Sequence, residues 1–178
     1  LAESLCQPLS FTRLCNMIKA VGVSCSTSTI IEYLNHFTDS CLIFSVQNFA
    51  SRFVEKATTK KFYFVDNGLL NLFLLNNQSA LLENICAIEM KKRYGTRLYY
   101  YLHNIEVDFY VPEENLAIQV SYKLADENTI KRETDALLKL HKLHPLNKAI
   151  IITKDEEKTI TKDDLNIEFI PVWKWLLQ

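Results

Sequence analysis

The segment Ala149-Ile150-Ile151-Ile152 is a continuous run of apolar side chains. Successive residues of a strand point to opposite faces, so a strand without polar alternation has to be covered on both of them. A chain carrying such a strand needs helices to cover it. The segments leading up to the run supply them and place the chain in the mixed α/β (α+β) class.

Ser79 is a candidate N-cap for a long helix that runs to about Tyr94 and ends at Gly95. Residues 97–102, 105–111 and 116–122 then have β-branched or aromatic character, with Asn104 and residues 112–115 in the turns between them. Three strands on short connections suggest an antiparallel meander. A charged helix follows over about 127–143 and is stopped by Pro145, ahead of the apolar run. Its Glu127–Lys131 and Asp135–Lys139 pairs have favourable i,i+4 spacing, which suggests a solvated, self-paired face. His141 and His144, near its end, read as surface residues. One more strand near 167–170 and a closing helix over 173–177 complete the expectation. Residues 79–178 therefore read α-β-β-β-α-β and form one expected domain.

Residues 1–75 form the other. Ser10 can cap a helix with Phe11, Leu14, Cys15 and Ile18 on one face. Gly22 breaks it, and Ser26 or Ser28 caps a second helix carrying Ile30, Ile31, Leu34 and Phe37. β segments at 42–46 and 61–65 flank a polar, basic stretch. Two helices followed by a hairpin is the order of a winged helix-turn-helix. The basic residues Arg52, Lys56, Lys60 and Lys61 cluster where the wing would be, and are the candidate DNA-binding set. The candidate recognition helix offers Ser26, Thr27, Ser28, Thr29, Glu32, Asn35 and His36, with no Lys or Arg among them. A protein-contacting winged helix fits that pattern as well as a DNA-contacting one. Asp66-Asn67-Gly68 signals a turn, followed by a leucine-rich stretch over 69–75.

Composition narrows the function classes. The 178 residues are 48% hydrophobic and 23% charged, as in a packed protein, and the net charge is −1. Residues 1–80 hold 6 basic and 5 acidic side chains, and the remainder 14 and 16. Neither part has the basic excess of a sequence-independent DNA binder. No apolar run is long enough to span a bilayer, so no membrane partner is expected. Cys6, Cys15, Cys25, Cys41 and Cys86 form no C-x-x-C pair, which suggests reduced thiols and a cytoplasmic protein. The chain begins at Leu1 in what reads as a helix under way, and is expected to be a piece of something longer.

The residues that could carry chemistry lie in the second segment. Glu106 and Asp108 are two apart on a strand and share a face, as do Gln119, Ser121 and Lys123 on the next. A hairpin would set Asp108 facing Gln119, with Glu83 reaching over from the long helix. This order is similar to that of the PD-(D/E)XK nucleases, the restriction-endonuclease-like fold. The resemblance implies that Asp108, with Glu83, would hold Mg²⁺, and that positions 119 and 121 would be Glu and Lys. This chain has Gln119 and Ser121 there, and Lys123 is the nearest cation on that face. A neutral amide brings no charge to a hard cation.

Phe64-Val65-Asp66-Asn67-Gly68-Leu69-Leu70, Leu82-Glu83-Asn84 and Glu106-Val107-Asp108-Phe109 also resemble, in order and spacing, a C-terminal domain of unknown function. That domain follows the P-loop module in a large group of prokaryotic AAA-type ATPases, and the first segment resembles the winged helix between the two. The resemblance implies an upstream ATPase module as partner. No G-x-x-x-x-G-K-[ST] occurs here, so ATP would belong to that module and no cofactor is expected in this chain. Three functions stay open: an accessory module that senses or tethers DNA or protein without cutting, a Mg²⁺-dependent endonuclease using Glu83, Asp108 and Lys123, and a protein-binding adaptor.

Overall fold

The structure, a computed structural model, describes residues 6–51, 59–74, 77–124 and 127–178. Strand β1 (Leu9–Ser10) leads into α1 (Phe11–Ala20), whose cap Ser10 accepts the Arg13 N–H at 3.2 Å. Helix α2 (Thr27–Asp39) is capped by Ser26, which accepts the Thr29 N–H at 3.1 Å. A hairpin of β2 (Ile43–Asn48) and β3 (Thr59–Phe64) follows. The tip expected to form a wing, with Arg52 and Lys56, lies outside the described residues.

Asp66-Asn67-Gly68 is not a free turn. Asp66 caps α3 (Asn67–Phe73) by accepting the Leu69 N–H at 2.9 Å. Helix α4 (Gln78–Tyr94) is capped by Asn77 instead of Ser79, through the Ala80 N–H at 3.1 Å. Gly95 ends it at a φ of 59°, a conformation costly for any residue with a Cβ. Then come β4 (Tyr99–Leu102), β5 (Glu106–Val111), β6 (Leu116–Ser121), α5 (Glu127–Leu143), β7 (Lys148–Thr153), β8 (Lys158–Lys162), β9 (Leu165–Pro171) and α6 (Val172–Leu176).

The nine strands among the described residues join one mixed sheet in the order β1-β3-β2-β4-β5-β6-β7-β9-β8. β4, β5 and β6 form the antiparallel meander, while β6, β7 and β9 run parallel. Residues Ala149 to Ile152 are all 2% exposed or less, and the two faces of β7 explain it. Ala149 and Ile151 pack in a core with Leu137 and Leu140 of α5. Ile150 and Ile152 pack in another with Cys86, Ala87 and Met90 of α4 and Trp175 of α6. That second core continues into Leu14, Ile30, Leu34 and Phe62, so both sequence segments share it.

The seam between the segments is narrow. β2 pairs β4 in parallel at only Gln47↔Tyr99 and Asn48↔Tyr100. Beyond that the Asn48 side chain extends the ladder, accepting the Leu102 N–H at 2.9 Å and donating to the Leu102 carbonyl at 2.7 Å. Asn84 of α4 brackets Phe64 in the same way, accepting its N–H at 2.8 Å and donating to its carbonyl at 3.1 Å.

Candidate functional site

Lys61, expected on a basic surface, is 1% exposed on β3. It is two residues from Tyr63, so the two share a strand face. Its ammonium lies 3.0 Å from Glu106 Oε1, 3.2 Å from Asp108 Oδ1 and 3.4 Å from Glu83 Oε1. The Tyr63 hydroxyl donates to the same Glu83 oxygen at 2.9 Å. The Tyr100 ring centroid is 5.5 Å from the ammonium, within reach of a cation–π contact. Three carboxylates from α4 and β5 thus converge on one cation from β3.

Two irregularities of β5 make this possible. Between Tyr99↔Tyr110 and Tyr101↔Val107, β4 advances two residues while β5 advances three, which marks a β-bulge. A bulge re-aims a side chain, and here it brings Asp108 and Phe109 to the side of the sheet where α4 and Lys61 lie. On the other flank, backbone pairing of β5 with β6 ends at Phe109↔Ile118. Side chains take over from there. The Asp108 N–H donates to Gln119 Oε1 at 2.8 Å, and the Val120 N–H donates to Asp108 Oδ2 at 3.0 Å. The splayed strands open a cleft of about 730 Å³ lined by Glu83, Glu106, Asp108, Arg132 and Glu133, among others.

Charge follows from this packing. Burial disfavours the charged form of Lys61, but Asp108, Glu83 and Glu106 outweigh it and hold the ammonium above its ordinary value. Glu83 is pushed up to about 8, first by burial and then by the charge of Asp108, against the opposing pull of Lys61. Burial, and after it the charge of Glu83, raises the Tyr63 phenol. Cys6, on the cleft wall, has its thiol pushed up by the same two causes, which leaves it a poor nucleophile.

The site residues expected from sequence divide accordingly. Glu83 and Asp108 come together, bridged by Lys61. Gln119 does not face the Asp108 carboxylate. Its Nε2 donates to the Glu106 carbonyl at 3.1 Å and to Glu133 Oε2 at 2.9 Å, so the side chain reaches toward α5. Lys123 is exposed beyond the end of β6, beside an adjoining groove of about 510 Å³, and makes no contact with the carboxylates. Lys60 is half-buried, and Lys61 is unavailable to a phosphate because it is sealed among carboxylates. The donor set fits an ammonium and not Mg²⁺: Lys61 fills the point between the carboxylates, and the amide oxygen of Gln119 is committed to a backbone N–H. Among the described residues, no three His, Cys, Asp or Glu side chains are grouped to hold a metal ion.

Glu133 of α5 departs from the solvated face expected of that helix. It is 7% exposed, with Arg132 Nη2 at 2.6 Å and Gln119 on its other oxygen. Burial raises its carboxyl, and Arg132 opposes that. The sequence signal for Lys61 lies in its neighbours. A lysine followed directly by Phe62, Tyr63 and Phe64 sits in the buried stretch of its strand, and a buried cation needs acidic partners.

Residues 1–80 match the model of a family described as a domain of unknown function, DUF8612. That stretch holds Lys61 and Tyr63 and stops short of Glu83. The chain is also similar to the uncharacterized protein MJ1544 of Methanocaldococcus jannaschii, at 35% identity over 182 residues, covering 95% of this chain and 41% of that protein. The chain thus spans about two-fifths of the length of that relative. Neither description names an activity. No solved structure matches the chain. No helix among the described residues is long and apolar enough to cross a membrane.

Proposed function

We propose that this chain is a non-cleaving accessory module, the C-terminal part of an AAA-type ATPase, built from a winged-helix segment and a degenerate PD-(D/E)XK-like segment. The element order from α4 to β7, α-β-β-β-α-β, supports the second comparison, and α1, α2 and the β2–β3 hairpin support the first. The observation that carries the reading is Lys61. An ammonium tethered by the chain itself sits among Glu83, Glu106 and Asp108, where a catalytic cation would have to go. A phosphodiester gains nothing from carboxylates already neutralised in this way.

The module's partner is more naturally protein than DNA. α2 has no Lys or Arg and presents Tyr33, 56% exposed, and Phe37, 36% exposed. Calorimetric titration with Mn²⁺ followed by a nicking assay on supercoiled plasmid tests the reading. Neither binding nor cutting is expected. Metal binding with cutting that disappears in Asp108→Asn would overturn it in favour of a Mg²⁺-dependent endonuclease. A salt-sensitive gel shift of a mixed-sequence duplex would restore DNA as the tethered partner.

A further inference from the structure

We propose that Cys15 and Cys25 form a redox-active dithiol that closes to a disulfide by exchange with a small-molecule disulfide such as oxidised glutathione. Cys15 is buried on α1, and Cys25 directly precedes Ser26, the cap of α2. Their sulfurs are 3.4 Å apart. Each thiol also points at the other residue's carbonyl, Cys15 Sγ at 3.3 Å and Cys25 Sγ at 3.6 Å, so the two side chains face one another from both ends. A disulfide bond is about 2.05 Å long, so the sulfurs have to close roughly 1.3 Å. Cys25 lies in the irregular turn between α1 and α2 and is half-exposed, which gives it room to move and access to a small reagent. Cys6 and Cys86 are buried and Cys41 is exposed, and no other two sulfurs among the described residues are in contact.

The exchange balances in two steps. The Cys25 thiol loses its proton to solvent, and its thiolate attacks one sulfur of oxidised glutathione. A mixed disulfide forms and one glutathione thiolate leaves. Cys15, deprotonated in turn, attacks the Cys25 sulfur and expels the second glutathione. Two cysteine thiols are oxidised, and one glutathione disulfide is reduced to two thiols. Burial, then the Cys15 sulfur, hold the Cys25 thiol above its ordinary value, so the exchange should quicken at mildly alkaline pH. The bond would pin α1 to the start of α2, fixing the angle of the two helices whatever they contact.

The experiment treats the full folded chain with oxidised glutathione at mildly alkaline pH. Remaining thiols are alkylated, and the protein is cut with trypsin without reduction. Cleavage at Arg13, Lys19 and Arg52 separates peptide 14–19, holding Cys15, from peptide 20–52, holding Cys25 and Cys41. The expected product is 14–19 joined to 20–52 with Cys41 alkylated. The link should persist in Cys41→Ser and be absent in Cys25→Ser. The thermal midpoint should rise on oxidation and return on reduction. Cys25 recovered alkylated, or arrested as a mixed glutathione disulfide, would overturn the proposal. So would a link that vanishes in Cys41→Ser.

Discussion

Lys61 is the residue on which the cleft depends. A buried ion pair broken from one side leaves the other charge without compensation, and here Asp108 and Glu106 would lose their cation while Glu83 already carries a proton at neutral pH. Lys61→Met should cost about 3 kcal/mol in urea unfolding at neutral pH. The loss should shrink in a Glu83→Gln background, since the two sites touch and their effects are not additive. Glu83 makes the same cluster sensitive to pH. Its carboxyl is raised from 4.5 to about 8, so across that window the folded chain keeps a proton that the unfolded chain releases. Stability should therefore fall as pH rises from about 4.5 to about 8 and lose no more from this group above it. Unfolding free energies of Glu83→Gln over that range should lack this slope, and an unchanged slope would assign the proton elsewhere. The sequence was informative about Glu83 and Asp108 because strand alternation and helix packing act locally. The aromatic neighbours of Lys61 signal its burial but name no partner, because the lysine is 22 residues from Glu83 and 47 from Asp108, a separation no periodicity encodes. Gln119 looked like a lost metal ligand because its position suited one. Its actual work, standing in for the missing backbone ladder beside Asp108, depends on a register break that no spacing announces.

At the scale of elements, two asparagines do what strand pairing does elsewhere. Asn84 is fully buried and satisfies both backbone groups of Phe64 while donating to Asn67 Oδ1 at 3.1 Å. Asn84→Ala would leave the N–H and carbonyl of Phe64 without these partners. It should cost about 2 kcal/mol in denaturant unfolding, and Asn84→Asp should not recover it, because a carboxylate cannot donate to the Phe64 carbonyl. A loss within error would mean that water replaces the side chain. Most elements were legible for ordinary reasons. Ser10 and Ser26 are good caps, α1 and α2 carry apolar faces, and the four-residue apolar run is buried on both sides, as a strand of that composition must be. The exceptions have physical causes. β1 is two residues long. β8, Lys158–Lys162, is an edge strand with mostly exposed polar side chains, so its sequence lacks the apolar signal of an inner strand. Asp66-Asn67-Gly68 suits a turn and a helix start equally, and Asp66 is used as a cap.

At the scale of the molecule, the expected division near residues 75–79 falls between two parts joined by more than a linker. The first part supplies Lys61 and Tyr63, the second Glu83, Glu106 and Asp108, and the buried ammonium and the Tyr63 hydroxyl meet their carboxyl partners across the division. One apolar core runs from Leu9, Leu34 and Phe62 through Cys86 and Phe109 to Ile150 and Trp175. Separating the parts would expose that core, the Phe64 bracket and a buried ammonium together, so partial unfolding along the seam should cost nearly as much as complete unfolding. Scanning calorimetry should accordingly give a single transition whose calorimetric and van't Hoff enthalpies agree. The mutations above sharpen the test. Lys61→Met and Asn84→Ala both act at the junction, and both should lower the one midpoint without splitting it. Two resolved transitions in the unmodified chain would make the division a true thermodynamic boundary. Two transitions appearing only in the junction variants would mean that Lys61 and Asn84 are what couple the parts.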